Sequence, residues 1–375
     1  MPPSPPSRRL DYSIAIISAL PLEAHAVKAI FDDVVDIGRG EDSDSSSDNV
    51  GEAGKASWDS NVYSTGMIGG RSVVLAHMPG MGKANAAGVA AYLKSSFQNI
   101  RLALIVGVCA AVPKISDKAD ILLGDVVVST SVVQYDLVRE YPDEQERKRG
   151  LEDNLGRPNQ EIRAFTNKLL AGRTELEEET SKNFATVLKK PGFESAGFPV
   201  GVQDKLFEAD YPHKHHVPED CHTTSCFRGD QPCKVSRKAS CGTLKCNGKL
   251  VPRDRDASAQ QPVIHFGPIG SGDRVMRSGQ RRDEIAKKEG IIAFEMEAAG
   301  AWDYLPCLVV KGVCDYADSH KNKVYQPYAA AAAAASMKAV LAQWVTADKR
   351  SGKEKVKYDR FLPPGPPPEA LSTCY

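Results

Sequence analysis

Phe294-Glu295-Met296-Glu297-Ala298-Ala299-Gly300 is followed closely by Leu308-Val309-Val310-Lys311-Gly312-Val313 and then by Cys314-Asp315-Tyr316-Ala317-Asp318-Ser319-His320. The middle run has the length and mostly apolar composition of a strand buried on both faces, as in a parallel sheet. The first motif leads into small residues that read as a helix, and the third caps the strand. Glu297 and Asp315 therefore fall at the ends of elements, where open α/β sheets gather ligands. An ordinary helix start and an ordinary cap would place the same two carboxylates there, so spacing alone leaves both readings open.

Outward from this stretch the chain alternates strands and helices. Tyr12–Leu20 reads as a first strand, and Pro21 suits the opening of a helix over Leu22–Phe31. Glu23 lies in that helix's first turn, where it also complements the dipole. Val62–Ala76 reads as a hairpin turning at Gly69-Gly70. His77-Met-Pro-Gly-Met-Gly-Lys83 is a Gly-rich turn opening a small-residue helix to about Tyr92. Such a turn can hold an anion through backbone N–H groups, but it matches neither a Walker loop nor a dinucleotide fingerprint. Leu102–Val106 is a buried strand ending at Gly107-Val108-Cys109-Ala110-Ala111. Leu122–Thr130 is another, continuing toward Asp136. Residues 139–185 are charged and helical in character, with Asn159–Ala171 amphipathic. Gln261–Met276 returns to a strand and turn, Arg277–Lys288 is a charged helix, and Tyr328–Ala342 is a strong helix by propensity. This alternation predicts an α/β three-layer sandwich with a mixed, mostly parallel central sheet, in one domain over 12–345.

Composition narrows the function classes. The chain has 48 basic and 48 acidic residues, so no net field favours a nucleic-acid polymer or a membrane surface. No apolar run approaches the ~18 residues of a spanning helix, and the first residues lack the apolar core of a signal peptide. Nine cysteines, three of them in apolar or motif segments, suggest reduced thiols and a cytoplasmic or nuclear setting. Residues 1–11 are expected to be disordered, 37–57 to form an acidic Ser-rich loop, and 346–375 to form an extended Pro-rich tail. Between about 186 and 260 the pattern loosens around a Cys-rich insertion with His213, His215, His216, Cys221, Cys226, Cys233, Cys241 and Cys246. That count suits zinc. No Cys-x-x-Cys pair is present, however, and Cys221-x4-Cys226 with Cys241-x4-Cys246 is only loosely knuckle-like. The expectation is a flexible surface insertion with reduced thiols, no metal and no cofactor.

Phe-Glu-Met-Glu-Ala-Ala-Gly at 294–300 and Cys-Asp-Tyr-Ala-Asp-Ser-His-Lys-Asn at 314–322 resemble the nucleoside phosphorylase/nucleosidase superfamily, and more closely its fungal phosphorylase-like domains. The resemblance covers roughly 12–140 and 200–345. It implies cleavage of the N-glycosidic bond of a purine (adenine) nucleoside or nucleotide. On this resemblance Asp315 would protonate the base, and Glu297 would accept hydrogen bonds from the ribose. Met296 would pack beneath the sugar. Glu23 would activate water, as in the methylthioadenosine/adenosylhomocysteine nucleosidase branch. Phe294 and Glu295 would join Met296 in binding substrate. Gly107, Val108 and Cys109 would border the sugar, with the Cys109 thiol a small hydrophobe rather than a nucleophile. Asp273, Arg274, Val275 and Met276 would clamp the base, and Lys83 would lie beside the ribosyl pocket. Lys83 and Arg274 would also reach a phosphate if the substrate carries one.

Departures from the family pattern bear on the nucleophile. Phosphorylases place an arginine just before the strand-end loop and a hydroxyl within it. Here those positions are Ile105 and Val108, which cannot donate a side-chain hydrogen bond to an oxyanion. Hydrolysis is therefore expected over phosphorolysis. Ala110-Ala111 replace glycines common in the family, which narrows the pocket. With Val108 they motivate a different alternative, a catalytically weak sensing or interaction domain. The implied partners are a small-molecule substrate, water and a second copy of the chain, because this family's pocket is commonly completed across a homodimer.

Overall fold

The computed structural model describes residues 8–35, 55–114, 120–199, 204–217, 221, 226, 231–253 and 261–345. The expected disorder at 1–7, most of the acidic loop and the tail from 346 lie outside the described residues. Residues Arg9–Asp11, expected to be disordered, form one 3-10 turn, with Asp11 accepting from the Arg8 amide at 3.1 Å.

Strand β1 (Ile14–Ser18) is buried throughout and leads into α1 (Pro21–Ala29). Then come β2 (Asp33–Val35), β3 (Val62–Ile68), β4 (Arg71–His77), α2 (Lys83–Ser96) and β5 (Leu102–Ala111). Next follow β6 (Val126–Gln134), the short strands β7 (Val138–Glu140) and β8 (Gln145–Arg147), and helices α3 (Gln160–Ala171) and α4 (Arg173–Val187). The insertion contributes β9 (Leu206–Phe207), α5 (Cys241–Leu244) and β10 (Leu250–Val251). The chain returns through β11 (Ile264–Ser271), α6 (Gly279–Glu289), β12 (Ala293–Glu295), α7 (Ala298–Ala301), β13 (Cys307–Asp315) and α8 (Gln326–Gln343).

Nine strands form one sheet in the order β12-β11-β6-β13-β5-β1-β4-β3-β2. The pairs β4–β1, β1–β5, β5–β13, β6–β11 and β11–β12 are parallel, whereas β13–β6, β4–β3 and β3–β2 are antiparallel. Strand β12 also pairs antiparallel with β5, Ala293 opposite Ala111 and Phe294 opposite Ala110. That second pairing bends one half of the sheet back on itself into a closed ring of five strands. It also explains why β5 runs to Ala111 and not only to Val106, since its far end has a partner that the local sequence does not reveal.

Two apolar clusters occupy the two faces of the sheet. One packs the strands against α1, α3, α4 and α8, the other against α2 and α7. The expected three layers are therefore present. Each fully buried Ile or Leu in these clusters contributes on the order of 1.5–3 kcal/mol relative to exposure. The β3–β4 hairpin turns where expected, with φ of 56° at Gly69 and 74° at Gly70, values that favour glycine. Asn159 caps α3 by accepting from the Ile162 amide at 2.8 Å. Residues 139–147, expected to be helical in character, instead belong to the β7–β8 ribbon. Leu122–Asp125 is a turn and not the start of β6. Gly124 sits there at φ 91°, and the Asp125 carboxylate accepts from the Leu122 amide at 2.9 Å.

Candidate active site

Because β1, β5 and β13 are parallel neighbours, their carboxyl ends emerge side by side. The first leads to Glu23, the second carries Val108 and Cys109, and the third ends at Asp315. Strand β12, gripped by β11 and β5, delivers Phe294 to Glu297 to the same place. Together they line a cavity of about 390 Å³. Of the substrate-binding residues expected from sequence, Val108, Cys109, Arg274, Val275, Met276, Phe294, Glu295 and Met296 line it, as do Glu23, Glu297 and Asp315.

Glu23 is held by backbone alone. Its Oε2 accepts from the amides of Ala19 (3.0 Å) and Leu20 (2.9 Å), and its Oε1 accepts from Val108 (2.8 Å). Gly107 is not itself part of the lining but makes this contact possible. A Cβ there would lie 2.3 Å from Glu23 Oε1 and 2.8 Å from Oε2. Gly107→Ala is therefore expected to displace the Glu23 carboxylate while leaving the sheet intact. Misplacing a reacting group by about 1 Å costs on the order of 10²-fold. The expected result is a turnover number reduced by roughly that factor with an unchanged circular dichroism spectrum; full turnover would show that Glu23 is not required at its observed position.

The charge at the centre of the site comes from Lys311, fully buried within β13. Its Nζ lies 2.8 Å from Glu297 Oε2 and 3.7 Å from Glu295 Oε2. Burial opposes the Lys311 charge, but Glu297, Glu23 and Glu295 more than compensate and raise its proton affinity. Burial pushes the Glu23 carboxyl above its ordinary value. The Lys311 charge and backbone amides pull it part of the way back, and the Glu297 charge adds to the rise. Glu295 is pushed up to about 7, mainly by burial. Burial also pushes Glu297 up, but the charge and hydrogen bond of Lys311, with the Gly82 and Met296 amides, outweigh it and hold Glu297 low. Neighbouring carboxylates thus acquire different proton affinities, which separates acid and base roles. The sequence carried one sign of Lys311, a lone cation inside an otherwise apolar strand.

At the other wall Asp315 Oδ1 accepts from the Ala317 amide at 2.9 Å, and Oδ2 pairs with Lys321 Nζ at 3.0 Å. The sequence reading gave Asp315 the role of protonating the base. The structure adds a cation beside it that the reading missed, although Lys321 stands inside the quoted motif. Lys323 and Arg277 also line the cavity. The Glu295 carboxylate accepts from the amides of Glu297 (3.0 Å) and Ala298 (3.1 Å), so it fastens the turn into α7.

Two expected contacts differ. Lys83 is absent from the lining because its Nζ pairs with Asp136 at 2.5 Å and with Asp273 at 3.8 Å. Asp273 is likewise engaged outside the lining, accepting from the Lys83 amide at 2.7 Å at the start of α2. The Gly-rich turn does reach the site through Met81 and through the Gly82 amide at Glu297. Arg274 lines the cavity while donating to Gln145 Oε1 at 2.8 Å. Cys109 is buried and its thiol is pushed far above the ordinary range by burial, as suits a structural residue. The insertion, expected to be a flexible surface segment with reduced thiols, instead gathers seven of its eight His and Cys residues, with His320, into two groups of four, and His216 stands apart.

Comparison with known proteins agrees with this architecture. A family profile described as the phosphorylase superfamily matches residues 13–175. The match ends within α4, and β11, β12 and β13 beyond it complete the same sheet. A nucleotide-binding leucine-rich repeat (NLR)-like protein from Hyaloscypha variabilis is 31% identical over 337 residues, 88% of this chain. The chain spans only 29% of that protein's length. Among solved structures, a mutant of Helicobacter pylori MTAN with 5′-methylthioadenosine in its active site superposes with a TM-score of 0.51 at 13% identity, over 89% of this chain and 99% of that one. The futalosine hydrolase of Helicobacter pylori gives 0.51 at 14% identity, with coverage of 89% and 99%. These likenesses establish the fold. No helix among the described residues is long and apolar enough to cross a membrane.

Proposed function

We propose that the cavity hydrolyses the N-glycosidic bond of a purine nucleoside or nucleotide, with adenine as the leaving base. The observation that carries this reading is Glu23, a buried carboxylate of raised proton affinity held by three backbone amides in the cavity that Glu297 and Asp315 also line. A water beside Glu23 gives a proton to its carboxylate as the water oxygen bonds to C1′. The C1′–N9 bond breaks with its electron pair passing to the base. The Asp315–Lys321 pair supplies the proton that the base takes up at N7. Glu297, kept ionised by Lys311, accepts from the ribose hydroxyls and offsets the positive charge developing on the sugar. General acid–base steps of this kind contribute roughly 10²–10⁴-fold each. Water is favoured over phosphate because Ile105 is a fully buried core residue and Val108 presents only its backbone amide to Glu23.

Arg274, Arg277, Lys321 and Lys323 around the cavity favour an anionic substrate, so a nucleotide is the preferred form. We place the protein in the cytoplasm, as its reduced thiols suggest, and read it as a homodimer, following the family resemblance. The rival reading is a domain that binds such a ligand without cleaving it; the NLR-like relative, most of whose length lies outside this match, favours it. Chromatography of incubations with adenosine, methylthioadenosine and ATP tests both. Free adenine is expected at the same rate with and without phosphate, and ribose 1-phosphate is not expected. Strict dependence on phosphate would reverse the choice of nucleophile, and binding without base release would favour the rival.

A further inference from the structure

The insertion brings together side chains that the proposed reaction does not use. His213 Nδ1, Cys241 Sγ, Cys246 Sγ and His320 Nδ1 lie within 4.8 Å of one another, as do donor atoms of His215, Cys221, Cys226 and Cys233. We propose that these are two closed structural zinc sites, and that the first fastens the insertion to the loop that follows Asp315.

The spacing of the first group is that of a tetrahedron around zinc. The two Nδ1 atoms are 3.2 Å apart. Cys241 Sγ is 3.7 Å from His213 Nδ1 and 3.6 Å from His320 Nδ1, and Cys246 Sγ is 3.7 Å from His213 Nδ1. Tetrahedral zinc with Zn–N of ~2.0 Å and Zn–S of ~2.3 Å separates its ligands by ~3.3 Å for N–N and ~3.5 Å for N–S.

Hydrogen bonding gives an independent argument. His213 Nε2 faces the Ala239 carbonyl at 3.0 Å, and His320 Nε2 faces the Tyr211 carbonyl at 3.0 Å. A carbonyl only accepts, so each Nε2 carries the hydrogen. In the neutral rings both Nδ1 atoms then present lone pairs to each other, an arrangement that a metal ion between them satisfies. An imidazole that donates its outer N–H to a carbonyl is the usual orientation of a zinc-bound histidine. Two sulfurs complete the set, and mixed S/N tetrahedral donors select zinc over magnesium or calcium. With four protein donors the site has no open position for a reacting water, so its role is structural.

Local structure supplies what the missing Cys-x-x-Cys would have given. Cys241 opens the single turn of α5, which Ser240 caps, and Lys245 ends it at φ 58°. The Cys246 amide then returns to the Cys241 carbonyl at 2.9 Å, placing both sulfurs on one side. Phe207 stacks on the His320 ring at a centroid distance of 4.0 Å and screens it from water. The second group stands on its own contacts. His215 Nδ1 is 3.5 Å from Cys226 Sγ and 3.7 Å from Cys233 Sγ. The Cys233 amide points at Cys226 Sγ (3.5 Å) and the Ser236 amide at Cys233 Sγ (3.3 Å), contacts that stabilise thiolates.

His320 gives the first site its reach. It lies next to Lys321, the partner of Asp315, so a metal held there ties the segment around His213, α5 and the Asp315 loop at one point. The test is the metal content of the full chain purified from zinc-supplemented cells. Two zinc ions per chain are expected, falling to one in Cys241→Ser with Cys246→Ser and to one in Cys226→Ser with Cys233→Ser. Because either variant can fail to fold, the wild-type chain is also exchanged with cobalt, which should give a thiolate charge-transfer band and tetrahedral d–d absorption. Wild-type protein with neither zinc nor a cobalt–thiolate band overturns the proposal. Zinc content unchanged by the Cys241 and Cys246 substitutions overturns the first site, and a single ion lost only with that pair overturns the second.

Discussion

Asp315→Asn is expected to lower turnover of adenine substrates by roughly 10²–10⁴-fold, the range for losing a general acid. The substitution keeps the side chain's size and its ability to accept from the Ala317 amide, so the loop should hold its shape. It removes the ion pair with Lys321 and, in the proposed reaction, the oxygen that passes a proton to the departing base. A loss confined to the chemical step lowers the turnover number and kcat/KM together and leaves KM nearly unchanged. Glu297→Gln should also slow the reaction by weakening the hold on the ribose. Wild-type turnover and an unchanged pH profile in Asp315→Asn would remove this residue from the mechanism.

The second large effect is on stability. Lys311→Met is expected to destabilise the protein by about 3–5 kcal/mol at neutral pH, the usual consequence of removing one partner of a buried ion pair. That corresponds to a melting temperature lower by on the order of 10 °C. Its signature is the dependence on pH. Lys311, with its proton affinity raised, stabilises the folded chain below about 10.5 and loses that contribution only as pH rises through its folded value. Glu297, held low, stabilises above 4.5 and loses its contribution as pH falls through its folded value. Glu295, raised to about 7, does the reverse of Glu297, its contribution declining as pH rises from 4.5 to about 7. Without the lysine Glu23, Glu295 and Glu297 all favour their neutral forms, so the deficit should grow between pH 5 and pH 8. Thermal melts of both proteins at those two values decide the matter. An equal deficit at both would mean that Lys311 acts by packing alone.

The extent to which this molecule could be read from its sequence follows the distance between interacting residues. The Gly69-Gly70 turn, the Asn159 cap and the apolar strands are local, and each was legible in a few consecutive residues. The convergence of Phe294–Glu297 with Asp315 was legible too, because one short apolar strand joins the motifs. What escaped lies far apart in the chain. The closure of β12 onto β5 joins residues some 180 positions apart. Lys83 carries the charge expected of it, but Asp136 and Asp273, distant in sequence, claim that charge. The donors His213 and His320 meet across 107 positions, and no spacing rule for consecutive cysteines reaches that far.

The approach of α8 to β13 has a thermodynamic consequence. A Cβ on Gly312 would lie 2.0 Å from the Ala329 carbonyl oxygen, so helix and strand meet backbone to backbone three residues before Asp315. Ala329 to Ala335 are all buried there, and none has a rotamer to lose. This alanine face therefore packs beneath the strand with no loss of side-chain entropy of its own, and it retains no rotameric freedom that a ligand could quench. Ordering that accompanies binding at Asp315 therefore falls on the side chains that line the cavity, Met81, Arg274, Arg277, Lys321 and Lys323 among them, and not on this helix.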